Sequence, residues 1–188
     1  MRLGVLVSGR GSNLEAVLEA GLHVALVISN RLGTRALDVA ARHGVPVRVL
    51  CRVDFPDAGA RDRAIGEALT DADVQLAVLA GYDQQLRPPY FAAFGGRTIN
   101  IHPSLLPLHG GAGMLGMAVH RSVLKAGDVK TGVSIHEVTP ELDAGPILAR
   151  ARVPVLAGDD AETLAARVLA AEHRLLVATL GRIAADRV

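Results

Sequence analysis

The sequence holds a single cysteine, Cys51, no tryptophan, and only 3% aromatic residues. One thiol excludes an internal disulfide and a cysteine-rich metal site, and no metal site is expected. So few rings argue against a base-stacking platform for single-stranded nucleic acid. An excess of one charge is lacking too: 20 Lys and Arg face 19 Asp and Glu, for a net charge of +1. The charges are scattered without a like-charge block, so there is no electrostatic footprint for nucleic acid or a membrane surface. No apolar run approaches the ~20 residues of a membrane span. The opening Met1-Arg2-Leu3-Gly4-Val5-Leu6-Val7 is too short for a signal peptide and runs into Ser8-Gly9. It reads as a first buried strand, and the chain as cytoplasmic.

What is present is a globular balance. Hydrophobic residues make up 50% and charged residues 21% of 188 residues, enough for one domain over residues 1–188 with a real core. Strand and helix patterns alternate from the start. Strands are expected at Leu3–Ser8, His23–Asn30, Val45–Leu50 and Val74–Ala80, with Pro46 arguing for a place near a sheet edge. Helices are expected at Ser12–Ala20, about Thr34–His43 stopped by Gly44, about Ala58–Leu69 and around Pro88–Phe94. This alternation is the signature of an open, mostly parallel twisted sheet with helices on both faces, whose ligands bind outside the carboxyl ends of the strands. Beyond residue 107 come a glycine-rich loop, Leu108–Gly116, and a helix at about Met117–Lys125. The strands Gly132–Val138 and Ile147–Pro154 then form a C-terminal hairpin extension, followed by a long helix from about Asp160 to Asp186.

The chain is organised around Thr98-Ile99-Asn100-Ile101-His102-Pro103-Ser104-Leu105-Leu106-Pro107. β-Branched residues make its start a strand, and its prolines end that strand. In a period-two strand Asn100 and His102 share a face. An amide and an imidazole aimed the same way can donate two hydrogen bonds to a developing oxyanion, and the imidazole can move a proton.

Three other stretches carry candidate chemistry. Ser8-Gly9-Arg10-Gly11-Ser12-Asn13-Leu14 joins the first strand to the first helix. Backbone amides at a helix start with nearby glycines suit a phosphate. Leu14 stands where a dinucleotide fingerprint needs its third glycine, and Ser29-Asn30 stand where it needs a ribose-binding carboxylate. The stretch therefore reads either as a phosphomonoester site, with Ser12 and Asn13 adding side-chain bonds, or as a tight turn with Ser12 as N-cap. Asp143, in a loop constrained by Pro140 and Gly145-Pro146, is available to hold the His102 ring and raise its pKa. Glu172-His173 lies on the last helix. No nucleophile stands in an activating setting, and neither a Gly-x-Ser-x-Gly elbow nor a His-Glu-x-x-His occurs. Direct transfer fits better than a covalent intermediate.

Taken together, Ser8-Gly9-Arg10-Gly11-Ser12-Asn13-Leu14, Asn100-Ile101-His102-Pro103-Ser104-Leu105-Leu106-Pro107, Glu141-Leu142-Asp143-Ala144-Gly145-Pro146 and Ala171-Glu172-His173 resemble the folate-dependent formyltransferases. The resemblance spans nearly the whole chain. It implies a Rossmann-like fold and formyl transfer from 10-formyltetrahydrofolate, as cosubstrate, to the amine of 5'-phosphoribosylglycinamide in purine synthesis. It implies that Asn100, His102 and Asp143 are catalytic. Gly11, Ser12 and Asn13 would hold the substrate phosphate, and Glu172 a glycinamide or ribose group. Leu79, Tyr82, Leu86 and the loop of Glu141 and Asp143 would meet the folate. The bond matching Leu106-Pro107 is typically cis in this family.

The chain departs from the family pattern in places. Gly81-Tyr82-Asp83-Gln84 stands where many members have Gly-Phe-Met-Arg, and Ala58 lies near a position that often carries Arg. Arginines there are expected to hold the folate glutamate tail, so Arg61, Arg63 or Arg87 become candidates for that task. Gly110-Gly111-Ala112-Gly113-Met114-Leu115-Gly116 is longer than the commonest form of its loop. Other formyl transfers, to an amino sugar nucleotide or a methionyl-tRNA, are expected to bring further domains, and a formyltetrahydrofolate deformylase a preceding one. A non-catalytic binding protein is disfavoured because Asn100, His102 and Asp143 are all present. A nicotinamide oxidoreductase is disfavoured by Leu14. The expected partners are small molecules, with no nucleic acid or membrane, in a monomer or homodimer.

Overall fold

The structure is a computed structural model and describes residues 1–186. Among the described residues seven strands form one sheet in the order β3-β2-β1-β4-β5-β6-β7, and the chain gathers into two compact units, residues 1–99 and 100–188.

In the first unit β1 (Leu3–Val7) is buried at every position. It lies parallel to β2 (Val24–Ser29) on one side and to β4 (Leu76–Leu79) on the other. A strand covered on both faces needs an unbroken apolar run rather than alternation, which is what Leu3-Gly4-Val5-Leu6-Val7 supplies. The third strand, β3 (Val47–Val49), pairs with β2 and ends the strand order. That is the edge position expected from Pro46, and the strand is shorter than expected. The helices are α1 (Ser12–Glu19), α2 (Arg35–Arg42), α3 (Ala58–Asp71) and α4 (Pro88–Ala93). Asp57 caps α3 by accepting from the Ala60 N–H at 2.8 Å, satisfying one of the donors a helix start leaves open. A turn of 3-10 helix at Arg52–Asp54 was not foreseen.

β5 (Arg97–His102) begins in the first unit and ends in the second. The second unit continues through α5 (Met117–Ala126), β6 (Lys130–Glu137), β7 (Ile147–Pro154) and α6 (Ala161–Ala185). β6 and β7 are antiparallel, the expected hairpin, and their register slips between Ile135 and His136. α6 starts on a capping box: Thr163 N donates to Asp160 at 2.8 Å while Asp160 N donates to Thr163 at 3.0 Å. Its Leu164, Val168, Leu176 and Leu180 are buried and pack it on β6, β7 and α5. No helix among the described residues is long and apolar enough to cross a membrane.

Candidate active site

In the second unit the turn after β5 is held from several sides. The Leu106–Pro107 bond is cis, as the resemblance implied. Leu106 N donates to Ser134 Oγ at 3.0 Å, and Ser134 Oγ donates to the Ser104 carbonyl at 2.8 Å. Ser104 Oγ donates to the Leu108 carbonyl at 2.6 Å, and Arg150 Nη2 to the Leu106 carbonyl at 2.6 Å. Backbone polar groups must be satisfied somewhere, and here they go to Ser134 of β6, Arg150 of β7 and Ser104 of the turn itself.

Just before this turn, at the end of β5, stand Asn100 and His102, on the shared face their spacing requires. Asn100 Nδ2 lies 3.1 Å from His136 Nε2, while His136 Nδ1 lies 2.8 Å from the Glu137 carbonyl. His102 is 4% exposed. Its Nε2 lies 2.9 Å from the His109 carbonyl, and its Nδ1 3.8 Å from Asp143 Oδ2. Asp143 completes the cluster: Oδ1 is 3.5 Å from His136 Nε2, and Oδ2 accepts the Gly111 N–H at 2.9 Å. The backbone of Asp143 is left-handed, with φ of 53°, a conformation that Asp tolerates better than most residues. Gly145 lets the Asp143 loop close, because any Cβ there would run into the Glu137 carbonyl.

The electrostatics follow from this burial. Burial pushes the His102 ring below the ordinary histidine value. The His109 carbonyl and the Asp143 charge pull the other way but do not win, and the His136 and His109 rings add to the lowering. Asp143 raises the His102 pKa as expected, but desolvation outweighs a carboxylate 3.8 Å away and the net shift is downward. Burial would by itself raise the Asp143 carboxyl, but the His136 ring, the Gly111 N–H and the His102 ring outweigh it and hold the group below the usual carboxylate range.

In the first unit, Gly11 and not Ser12 is the N-cap of α1, with φ of 76°. No side chain among the described residues caps this helix. A Cβ on Gly11 would stand 2.6 Å from the Ala36 Cα, so the close passage of α2 by itself demands this glycine. Ser12 is half-buried and Asn13 buried. Leu79, Tyr82 and Leu86 are buried as well, and burial pushes the Tyr82 phenol up to about 12. Asp83 caps the strand ends: it accepts from Asn30 Nδ2 at 2.6 Å and Gln84 Nε2 at 3.3 Å, pairs with Arg31, and its N–H donates to Ser8 Oγ at 3.0 Å.

The formyl transferase family matches residues 1–180. The chain belongs to that family.

The chain is 37% identical over 181 residues to the phosphoribosylglycinamide formyltransferase of Escherichia coli K12, covering 93% of this chain and 83% of that one. It is also 37% identical over 193 residues to the trifunctional purine biosynthetic protein adenosine-3 of Bos taurus, of which it spans only 19% of the length. Among solved structures, the phosphoribosylglycinamide formyltransferase of Brucella melitensis superposes with a TM-score of 0.89 at 42% identity, over 98% of this chain and 95% of that one. The Coxiella burnetii enzyme, solved with CHES, gives 0.91 at 35% identity, over 100% and 88%. The Rossmann-like formyltransferase fold is therefore as expected.

Of the residues singled out in the sequence, the fold brings Asn100, His102 and Asp143 together in the second unit. Glu172 lies on α6 in the same unit and is buried, and Glu141 is exposed. His136 was missed. A lone histidine in an apolar strand reads as core, but it precedes the Asp143 loop and alternates with Ser134, the same polar-face signal that marks Asn100 and His102. Arg61 is not available to a folate tail. It is fully buried, bonded to Asp62 Oδ1 through Nε at 3.1 Å and Nη2 at 2.6 Å, with Nη1 on Gln84 Oε1 at 3.1 Å. Arg63 and Arg87 are exposed.

Proposed function

We propose that this formyl transferase carries the formyl group of 10-formyltetrahydrofolate to the amine of 5'-phosphoribosylglycinamide. The observation that carries the reading is the convergence of Asn100, His102 and Asp143 in one polar cluster, with His102 Nδ1 3.8 Å from Asp143 Oδ2 and His136 Nε2 3.1 Å from Asn100 Nδ2 and 3.5 Å from Asp143 Oδ1. The amine attacks the formyl carbon directly. Asn100 donates an amide hydrogen to the oxygen on which negative charge develops, a preorganised donor whose benefit is greatest away from water. His102, neutral at rest, takes the proton the amine releases and as an imidazolium stabilises the same oxyanion. Asp143 offsets that new charge. Collapse breaks the bond from the formyl carbon to folate N10, and the proton passes to that nitrogen.

Gly11, Ser12 and Asn13 would receive the substrate phosphate, Glu172 the glycinamide or ribose, and Leu79, Tyr82, Leu86 and the Glu141–Asp143 backbone the pterin. Residues 1–188 would act as one formyltransferase domain on water-soluble small molecules, in the cytoplasm, as a monomer or homodimer.

The test is a spectrophotometric assay of folate deformylation with and without the ribonucleotide. Deformylation that requires the ribonucleotide, with kcat lowered by about 10²–10⁴ in His102→Ala and substrate binding largely kept, is the expected result. Equal deformylation without the ribonucleotide would make the protein a formyltetrahydrofolate deformylase. Turnover only with a different amine would change the acceptor.

A further inference from the structure

His109 is a second ring in the site that the transfer does not use. Its side chain is nearly buried, and both ring nitrogens are engaged: Nε2 lies 2.7 Å from Asp128 Oδ2 and Nδ1 2.9 Å from Ser122 Oγ. One partner lies on α5 and the other just beyond it. Ser122 sits midway along the helix, and Asp128 follows the left-handed Gly127 that closes it, with Asp128 N bonded to the Val123 carbonyl at 3.3 Å. The backbone of His109 is itself left-handed, with φ of 52°, an arrangement that costs a non-glycine residue free energy unless its surroundings hold it. The ring clamp supplies that hold. What it holds in place is the His109 carbonyl, the acceptor of His102 Nε2 at 2.9 Å.

A carbonyl can only accept. Nε2 of His102 therefore carries a hydrogen whether the ring is neutral or charged. The nitrogen that gains and loses a proton is Nδ1, on the side facing Asp143. If the carbonyl swung away, the neutral ring could place its single hydrogen on Nδ1, and the base would be blocked on the face where it is needed.

We propose that His109 is a positioning residue, clamped by Ser122 and Asp128 so that its carbonyl holds His102 as the Nε2–H tautomer with Nδ1 toward Asp143. The proposal rests on the formyl-transfer reading for its kinetics but not for its spectroscopy. Asp128→Ala and His109→Asn, the latter keeping a residue that accepts the left-handed backbone, lower kcat by about ten- to a hundredfold, as misplacement of a catalytic group does. KM for both substrates stays within about threefold. Asp128→Asn, whose amide oxygen still accepts from His109 Nε2, retains most of the activity.

The deciding measurement is nitrogen NMR of ¹⁵N-imidazole-labelled protein, with His102 assigned by its loss in His102→Gln. In the unaltered protein neutral His102 is expected as the Nε2–H form, and in His109→Asn as a mixture of tautomers. An unaltered tautomer and kcat in both His109→Asn and Asp128→Ala would overturn the proposal, as would lower thermal stability with full kcat. Should Asp128→Ala fail to fold, His109→Asn and Ser122→Ala carry the same readout. The nitrogen signals need no turnover. A protein without formyl transfer would overturn the functional reading alone, and the tautomer would still decide the role of His109.

Discussion

Asn100 Nδ2 and His136 Nε2 are 3.1 Å apart, and the Glu137 carbonyl lies 2.8 Å from His136 Nδ1. Because the carbonyl accepts, Nδ1 bears a hydrogen; a ring whose only hydrogen is there accepts from the Asn100 amide at Nε2, whereas a second hydrogen on Nε2 would face Asp143 Oδ1 at 3.5 Å. In the first arrangement the amide is held in one of its two flips, with its second hydrogen available to an oxyanion. Replacing His136 by Phe keeps the ring bulk and removes the acceptor. Steady-state kinetics should show kcat lowered by about 10- to 100-fold with KM little changed, somewhat less than the loss of an oxyanion donor itself. Unchanged kcat would mean that Asn100 is held by something other than His136.

Burial lowers the His102 pKa against the pull of the His109 carbonyl and Asp143, and the sign of its pH dependence follows. The unfolded ring, titrating near 6.5, binds protons that the folded ring resists. The contribution to stability is fully present above the unfolded pKa and is lost as the pH falls through the folded one. Thermal unfolding between about pH 8 and about pH 5 should show Tm falling on the acid side, with a shallower fall in His102→Gln. The same neutral ring is the base for the amine, so kcat/KM should decline over the same acid range. Parallel Tm curves for the two proteins would contradict the burial argument.

These two residues also mark how far the sequence could be read. The common face of Asn100 and His102 follows from strand period alone, and Pro46 was enough to send β3 to the end of the sheet. Asp143 was legible as a candidate because its loop is boxed in by Pro140 and Gly145-Pro146. The rest depends on tertiary structure. His136 joins the cluster beside a register slip that no local pattern announces. The direction of the His102 shift depends on how completely the turn covers the ring, and a sequence shows the carboxylate but not the desolvation. Arg61 was misjudged for a related reason: arginine is rarely fully buried, and only the fold reveals that Asp62 and Gln84 absorb its donors.

That buried pair makes a stability prediction. Arg61 and Asp62 are both fully buried, and Asp62 Oδ2 also accepts the Arg87 N–H at 2.9 Å. Arg61→Met would leave Asp62 with that bond and an exposed guanidinium 3.7 Å away. Removing one member of a buried ion pair typically costs about 3–5 kcal/mol, and urea denaturation should read a loss of that order. Arg61→Met with Asp62→Leu should recover a large part, since no buried charge remains, but not all, because the Arg87 N–H loses its acceptor. A double variant no better than the single one would show that shape, not charge, governs the site.

Gly11 separates what the backbone needs from what a ligand needs. Its φ of 76°, and the 2.6 Å that would separate a Cβ at this position from the Ala36 Cα, are demands of the fold without ligand. Gly11→Ala should therefore destabilise the protein with no ligand present. The left-handed backbone costs an L-residue roughly 1–2 kcal/mol, and displacing α2 at Ala36 adds about 1–3 kcal/mol. Thermal unfolding without and with 5'-phosphoribosylglycinamide measures both effects. A lower Tm in the absence of ligand, with a smaller ligand-induced rise, is expected if the turn that α2 requires is also the turn that receives the phosphate. A Tm unchanged without ligand and a lost rise with it would mean that the glycine serves the phosphate alone, and that α2 yields readily to a methyl group at this position.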